Sequence, residues 1–218
     1  DVYKRQVLLM LGGFILAAAL ERSGAHRRIA LYMVRAFGGT SPRRLVFGFM
    51  CASAFLSMWI SNTSTTLMLL PVALAALEKT DDMNLSGPLL LGIAYAASIG
   101  GIGTPIGTPP NMVFMGVYTE VSGGAVSFGQ WMLWAIPVVL IMLPIAGLWI
   151  TRGVSKSGGV VLPEAEAWST AERRVLVIFS ITALLWMTRK GPWGGWSEWL
   201  SLPYANDAMV AFLSLIHI

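Results

Sequence analysis

Charged residues are so sparse along this chain that they cut it into long apolar blocks. The charge-free stretches are Gln6–Leu20, Leu45–Leu77, Met83–Thr119, Val121–Thr151 and Val175–Thr188, and Trp199–Ile218 is interrupted only by Asp207. A helix that crosses the ~30 Å hydrocarbon layer needs about 20 apolar residues. Blocks this long and this numerous exceed what a signal peptide followed by a globular domain would carry. Of 218 residues, 56% are hydrophobic and 12% charged, against about 25% charged in a soluble domain. The chain reads as an all-α, multi-pass protein of the cell membrane (the inner membrane, if the source is a bacterium). Its partner surface is the lipid bilayer and not nucleic acid, despite a net charge of +4. A single cysteine, Cys51, excludes an intrachain disulfide and any CxxC metal site. His26 and His217 are too few and too far apart to suggest a metal centre.

Basic residues near the block ends set the expected orientation. Arg22, Arg27, Arg28, Arg35, Arg43 and Arg44 form the densest cluster and are expected in the cytoplasm, as are Arg152, Lys156, Arg173 and Arg174. Arg189 and Lys190 then fall outside, a mild departure from the rule. Between the clusters, His26–Phe37 spaces Ile29, Ala30, Met33, Val34 and Phe37 at helical intervals among arginines. It reads as a helix lying in the membrane interface, with an ordinary cytoplasmic connector as the alternative. Trp131, Trp134 and Trp149 stand near both ends of Phe128–Ile150 and suit the interfacial aromatic belts.

Two blocks are too long for one span. Leu45–Leu77 would reach ~50 Å as a single helix, and in its middle stand six consecutive polar residues, Ser61-Asn62-Thr63-Ser64-Thr65-Thr66. The expectation is a re-entrant helical hairpin that turns at this tip and leaves on the side it entered. Glu78, Lys79, Asp81 and Asp82 follow it, so both ends are expected in the cytoplasm. Serine and threonine often serve only to pack membrane helices. An amide at membrane depth, however, is costly without a partner, which singles out Asn62. Ser61 and Asn62 are also good N-cap residues for the second leg. The alternative is two short spans joined by an exposed turn.

Met83–Thr119 contains Gly100-Gly101-Ile102-Gly103-Thr104-Pro105-Ile106-Gly107-Thr108-Pro109-Pro110-Asn111. Four glycines and three prolines in these twelve residues predict a helix broken at membrane depth. Such backbone is tolerated only where protein or a cavity surrounds it. Pro109 and Pro110 suit the first turn of the second half-helix, with Thr108 as its N-cap. The stretch is no dinucleotide fingerprint, because Ile106 stands where G-x-G-x-x-G requires glycine.

Both breaks expose helix N-termini, which carry partial positive charge and N–H donors and can hold an anion without lysine or arginine. Unwound carbonyls, hydroxyls and the Asn62 amide oxygen are hard ligands that suit Na⁺. Paired interruptions of this kind point to a secondary-transporter site. Proton coupling would usually require Asp, Glu or His in the membrane, and none falls in the hairpin, the broken helix or Phe128–Ile150.

At this point the motifs become specific. Ser57-Met58-Trp59-Ile60-Ser61-Asn62-Thr63, followed by Leu69-Leu70-Pro71, resembles the first Ser-Asn-Thr signature of the divalent anion:sodium symporters. Ala97–Thr104 together with Ile106–Asn111 resembles that family's broken-helix motif. The likeness runs from about Leu8 to Ile150 and is weaker over Glu172–Leu215. It implies a multi-pass helical transporter of the elevator type, dimeric, that couples Na⁺ to a dicarboxylate, tricarboxylate or sulfate. It also implies two inverted repeats, each with a re-entrant hairpin and a broken transmembrane helix. Carried over by position, Ser57, Ser61, Asn62 and the backbone of Gly107 form the first sodium site, and Asn62, Thr63 and Thr108 face the substrate. Pro105 stands where the family more often has an apolar residue, which alters the loop and leaves the ligand positions intact.

No second Ser-Asn-Thr hairpin occurs, so the expectation is a piece holding one inverted repeat and the start of the second, unable to transport alone. The ends Asp1–Gln6 and Leu213–Ile218 depart from the family pattern and read as cloning or read-end artefacts. The expected division is 7–44 as a transmembrane plus interfacial helix of the scaffold, and 45–120 as the hairpin and broken helix of the transport part. A transmembrane helix follows at 121–152, then a cytoplasmic loop at 153–174 and the start of the second repeat at 175–218. Competing classes are a citrate or arsenite carrier of similar architecture and a non-transporting membrane subunit. An intramembrane enzyme is disfavoured, because neither Ser61 nor Cys51 has a histidine partner in the sequence pattern.

Overall fold

The computed structural model describes residues 2–38, 41–78, 84–154, 168–190, 195–202 and 204–215. Lys79, Asp81, Asp82, Lys156 and His217, and most of the 153–174 loop, lie outside the described residues. Among the described residues the secondary structure is helical, with no strand. The order is α1 (Val2–Ser23), α2 (Ala25–Gly38), α3 (Pro42–Ser57), α4 (Asn62–Leu77), α5 (Ser86–Gly101), α6 (Pro109–Ser122), α7 (Phe128–Ile150), α8 (Thr170–Thr188), α9 (Gly195–Trp199) and α10 (Asp207–Leu215). Gln6–Ser23 and Phe128–Ile150 are long and apolar enough to cross a membrane.

The helices fall into two compact units. One comprises His26–Gly101 and Val138–Ala167, the other Asp1–Ala25, Ile102–Pro137 and Trp168–Ile218. In the first, α2 buries Ala30, Leu31 and Val34, whereas Phe37, expected on the apolar face, is 57% exposed. Helix α3 starts on Ser41, whose hydroxyl accepts the Arg44 amide, with Pro42 in the first turn where its missing N–H costs nothing. Helices α3 and α4 have 16 residues each, or ~24 Å at 1.5 Å per residue, so neither spans a ~30 Å core. Helix α5 lies beside α3 and runs parallel to it. The Ser53 hydroxyl donates to the Ile93 carbonyl at 2.8 Å and the Ser57 hydroxyl to the Ala97 carbonyl at 2.7 Å, one turn further along both helices. At the start of α3, Arg43 donates to Thr151 at 3.1 Å, and just beyond α7 the Arg152 guanidinium stacks 3.9 Å over Trp149.

In the second unit α1 packs on α6, α8 and α10. Helix α8 opens with a capping box: Ser169 accepts the Glu172 amide at 3.2 Å and Glu172 accepts the Ser169 amide at 2.6 Å. Its far end holds a feature the charge pattern did not reveal. Arg189 and Asp207, 7% and 8% exposed, form a two-pronged ion pair, Nε to Oδ1 and Nη2 to Oδ2, the latter at 3.0 Å. Nη1 reaches the Ala205 carbonyl at 3.1 Å. Asp207 thus neutralises Arg189, which is a buried tie between α8 and α10 and a poor marker of orientation. Trp186 completes this corner, donating to the Asp207 carbonyl at 2.8 Å and stacking on Phe128 at 4.8 Å.

Candidate functional site

The polar hexapeptide makes a tight turn between α3 and α4. Trp59 and Ile60 amides both donate to the Leu56 carbonyl at 3.0 Å, which closes α3. Ser61 then caps α4 in an extended conformation, its hydroxyl accepting the Ser64 amide at 3.1 Å. Asn62 is the first residue of α4 and not a cap. That placement frees its side chain to reach back to α3, where its Oδ1 meets the Ser57 hydroxyl. Ser57 is fully buried. The structure therefore brings together Ser57 Oγ, Asn62 Oδ1 and the Ala97 carbonyl oxygen. Ser57 has one proton for two acceptors, and the oxygens gathered here are neutral. It also lies at the C-terminal ends of α3 and α5, where the helix dipole favours a cation. Among the described residues no group of three His, Cys, Asp or Glu gathers that could hold a metal. The oxygens at the tip suit a hard, singly charged ion.

Gly100 and Gly101 explain why α5 can approach so closely. Both were expected to be unwound, yet both are helical. A Cβ on Gly100 would run into the Ala54 backbone, and one on Gly101 would lie 2.6 Å from Asn62 Oδ1. These glycines serve helix contact and room for the amide, and the unwound stretch is only 102–108. Thr63, by contrast, is exposed in the first turn of α4.

Gly107 and Thr108 belong to the other unit, where the break is pinned by two side chains whose role in holding it was not legible in the sequence. Trp131 donates to the Ile102 carbonyl at 2.9 Å, and Asn111 donates through Nδ2 to the Thr104 carbonyl at 2.8 Å. Trp131 is 9% exposed and so does not serve the interfacial belt expected of it, whereas Trp134 and Trp149 are exposed. The Gly107 amide donates to the Thr104 carbonyl at 3.3 Å. Thr108 occupies the N-cap position of α6 with Pro109 and Pro110 behind it, but its side chain makes no cap bond. The prolines lack N–H groups, and the Asn111 amide already donates to the Thr108 carbonyl at 3.1 Å. Periodicity could not have found Trp131 or Asn111. The only signal was the rule that backbone unwound at membrane depth must find partners.

A helical, multi-pass membrane protein with a polar helix–turn–helix and a pinned break in a second apolar block belongs to the class of membrane transporters. The chain belongs to the citrate transporter family (CitMHS), which it matches over residues 5–214. It is 32% identical over 96% of its length to the sodium-dependent dicarboxylate transporter SdcS of Staphylococcus saprophyticus, and 33% identical over 96% to the protein of that name from Staphylococcus aureus. It spans 44% of the length of these relatives. Membership in a transporter family sets the chain apart from intramembrane enzymes.

Proposed function

We propose that these residues form part of a secondary active transporter that couples Na⁺ to the symport of a small carboxylate anion. The observation that carries this reading is the cluster of neutral oxygens of Ser57, Asn62 and Ala97. It is supported by the sodium-dependent dicarboxylate transporters among the relatives. Ser57, Ser61, Asn62 and the Gly107 backbone are the proposed sodium ligands. Asn62, Thr63 and Thr108 are the proposed contacts of a di- or tricarboxylate or sulfate. At the start of α4 the Asn62 and Thr63 amides have no acceptor within their own helix, which supports an anion there. The reading extends to a re-entrant α3–α4 hairpin, a transport part at 45–120 moving against a scaffold at 7–44 by an elevator mechanism, and a homodimer. The short legs of 16 residues favour the hairpin.

The test is a chimera in which this chain replaces the matching segment of the S. aureus transporter. Succinate uptake into proteoliposomes should require an inward Na⁺ gradient and be lost in Asn62→Ala. Uptake indifferent to sodium, or sodium activation unchanged by Asn62→Ala, would remove the assignment. The family description favours citrate as a second substrate; competition between labelled succinate and citrate in the same vesicles decides between them. For the hairpin, single cysteines at Arg44 and Glu78 in a Cys51→Ser background should both label from one face of the membrane. Labelling from opposite faces would make α3 and α4 a crossing.

A further inference from the structure

Thr65 behaves unlike five other threonines inside or at the end of helices, Thr66, Thr119, Thr151, Thr182 and Thr188. Thr66 donates to the Asn62 carbonyl at 2.7 Å, Thr119 to Met115 at 2.7 Å, Thr151 to Gly147 at 2.7 Å, Thr182 to Ile178 at 2.8 Å and Thr188 to Leu184 at 2.6 Å. Each spends its hydroxyl on the carbonyl one turn back, the usual way a membrane helix satisfies this side chain. Thr65 is 0% exposed, and its hydroxyl has no hydrogen-bond partner. A buried polar group left in that state carries its full desolvation cost, and such exceptions call for a functional reason.

Its position supplies one. Residues three and four apart share a helix face, so Thr65 stands directly behind Asn62 and Ser61. The same face carries the buried Leu69, Val72, Ala73 and Ala76, and α4 packs on α5. Asn62 Oδ1 lies against Ser57 and the Gly101 position at the head of this seam. A hydroxyl with two unspent lone pairs thus stands one turn below that cluster of neutral oxygens. A β-branched apolar residue would fill the same space without the desolvation cost, so packing alone does not account for a threonine here.

We propose that Thr65 is a further oxygen ligand of the cation held at the α3–α4 tip, and so a determinant of sodium affinity and of selectivity among alkali ions. This rests on the sodium reading of Ser57 and Asn62. The experiment uses the purified chain in nanodiscs and follows its thermal unfolding midpoint as NaCl replaces choline chloride at constant ionic strength. Thr65→Val, which keeps the shape and removes the hydroxyl, should raise the half-saturating Na⁺ concentration about tenfold, the loss expected for one buried polar interaction. It should also change the ratio of Na⁺ to Li⁺ response. Thr65→Ser, which restores the hydroxyl, should stay within about twofold of the unsubstituted chain. A purely structural threonine would move the midpoint in choline and leave half-saturation unchanged, and that result overturns the proposal. Thr65→Ala provides the same reading if the valine variant does not fold. Ser57→Ala separates the two levels of inference. If Ser57→Ala weakens the sodium response and the Thr65 variants do not, the ligand role of Thr65 fails alone. If the unsubstituted chain shows no sodium response, the sodium reading fails and Thr65 with it.

Discussion

Helices α4 and α6 both begin at a polar break in an apolar block, and they handle the unpaired N–H groups of a helix start in opposite ways. At α4 a side chain caps the helix: Ser61 accepts the Ser64 amide. The amides of Asn62 and Thr63 remain without acceptors in their own helix. At α6 no side chain caps the start. Pro109 and Pro110 remove two donors by chemistry, and the Asn111 amide is spent on the Thr108 carbonyl. The flanking carbonyls of Ile102 and Thr104 are tied by Trp131 and Asn111. The α4 start therefore keeps donors and oxygen ligands in hand, whereas the α6 start is fixed in shape and offers few donors. Both helix ends can favour an anion through their dipoles, but the α6 start has fewer free N–H donors to offer it. The Thr108 hydroxyl is what the second end has left to offer.

This contrast predicts a graded series of stability effects, readable as shifts in detergent unfolding midpoints. The largest belongs to Gly100→Ala. Its new Cβ meets the Ala54 backbone, which cannot rotate away, so the α3–α5 contact should lose about 1–3 kcal/mol, typical of overpacking. A neutral outcome would mean that α5 is less closely held than the geometry requires. Next, Ser61→Ala should cost about 0.5–2 kcal/mol through the lost cap, while Ser61→Asp keeps most of it. Trp131→Phe keeps a ring beside Phe114, at 5.7 Å between ring centres in the unsubstituted protein, and removes the bond to Ile102 together with part of the buried indole. The lost bond accounts for about 0.5–1.5 kcal/mol of the cost. The smallest effect belongs to Thr108→Val, within about 0.5 kcal/mol, because no cap bond is lost. If Thr108→Val costs as much as Ser61→Ala, the two helix starts are not different in kind.

Much of the fold was legible in the charge pattern, because lipid admits few charges and forces each apolar block into helix. The start of α6 at Pro109-Pro110 and the cap at Ser61 followed from the same local chemistry. The hexapeptide drew attention to Ser61, Asn62 and Thr63 because six polar residues in an apolar block require an explanation. Gly100 and Gly101 were misread as unwound for a physical reason. Glycine weakens a helix in isolation, but it also lets two helices touch, and only the neighbour decides which property matters. Trp131 was misread for a similar reason. Its indole N–H finds either interfacial water or a buried carbonyl, and residue type does not choose between them.

The sequence by itself determined that the apolar blocks form helices, where α4 and α6 begin, that the protein lives in a membrane, and which polar residues stand at the breaks. These follow from short-range rules of capping, proline geometry and the cost of charge in lipid. The tertiary structure alone decided that α5 runs parallel to α3, one turn matched to one turn, so that Ala97 offers its carbonyl to Ser57 and Gly101 leaves room for Asn62. It also decided that Arg189 and Asp207, 18 residues apart, cancel each other in the interior, and that the Thr65 hydroxyl is buried without a partner. Each of these depends on the distance between groups far apart in the chain. Helix-forming patterns are local, and they fix the pieces without fixing which faces meet.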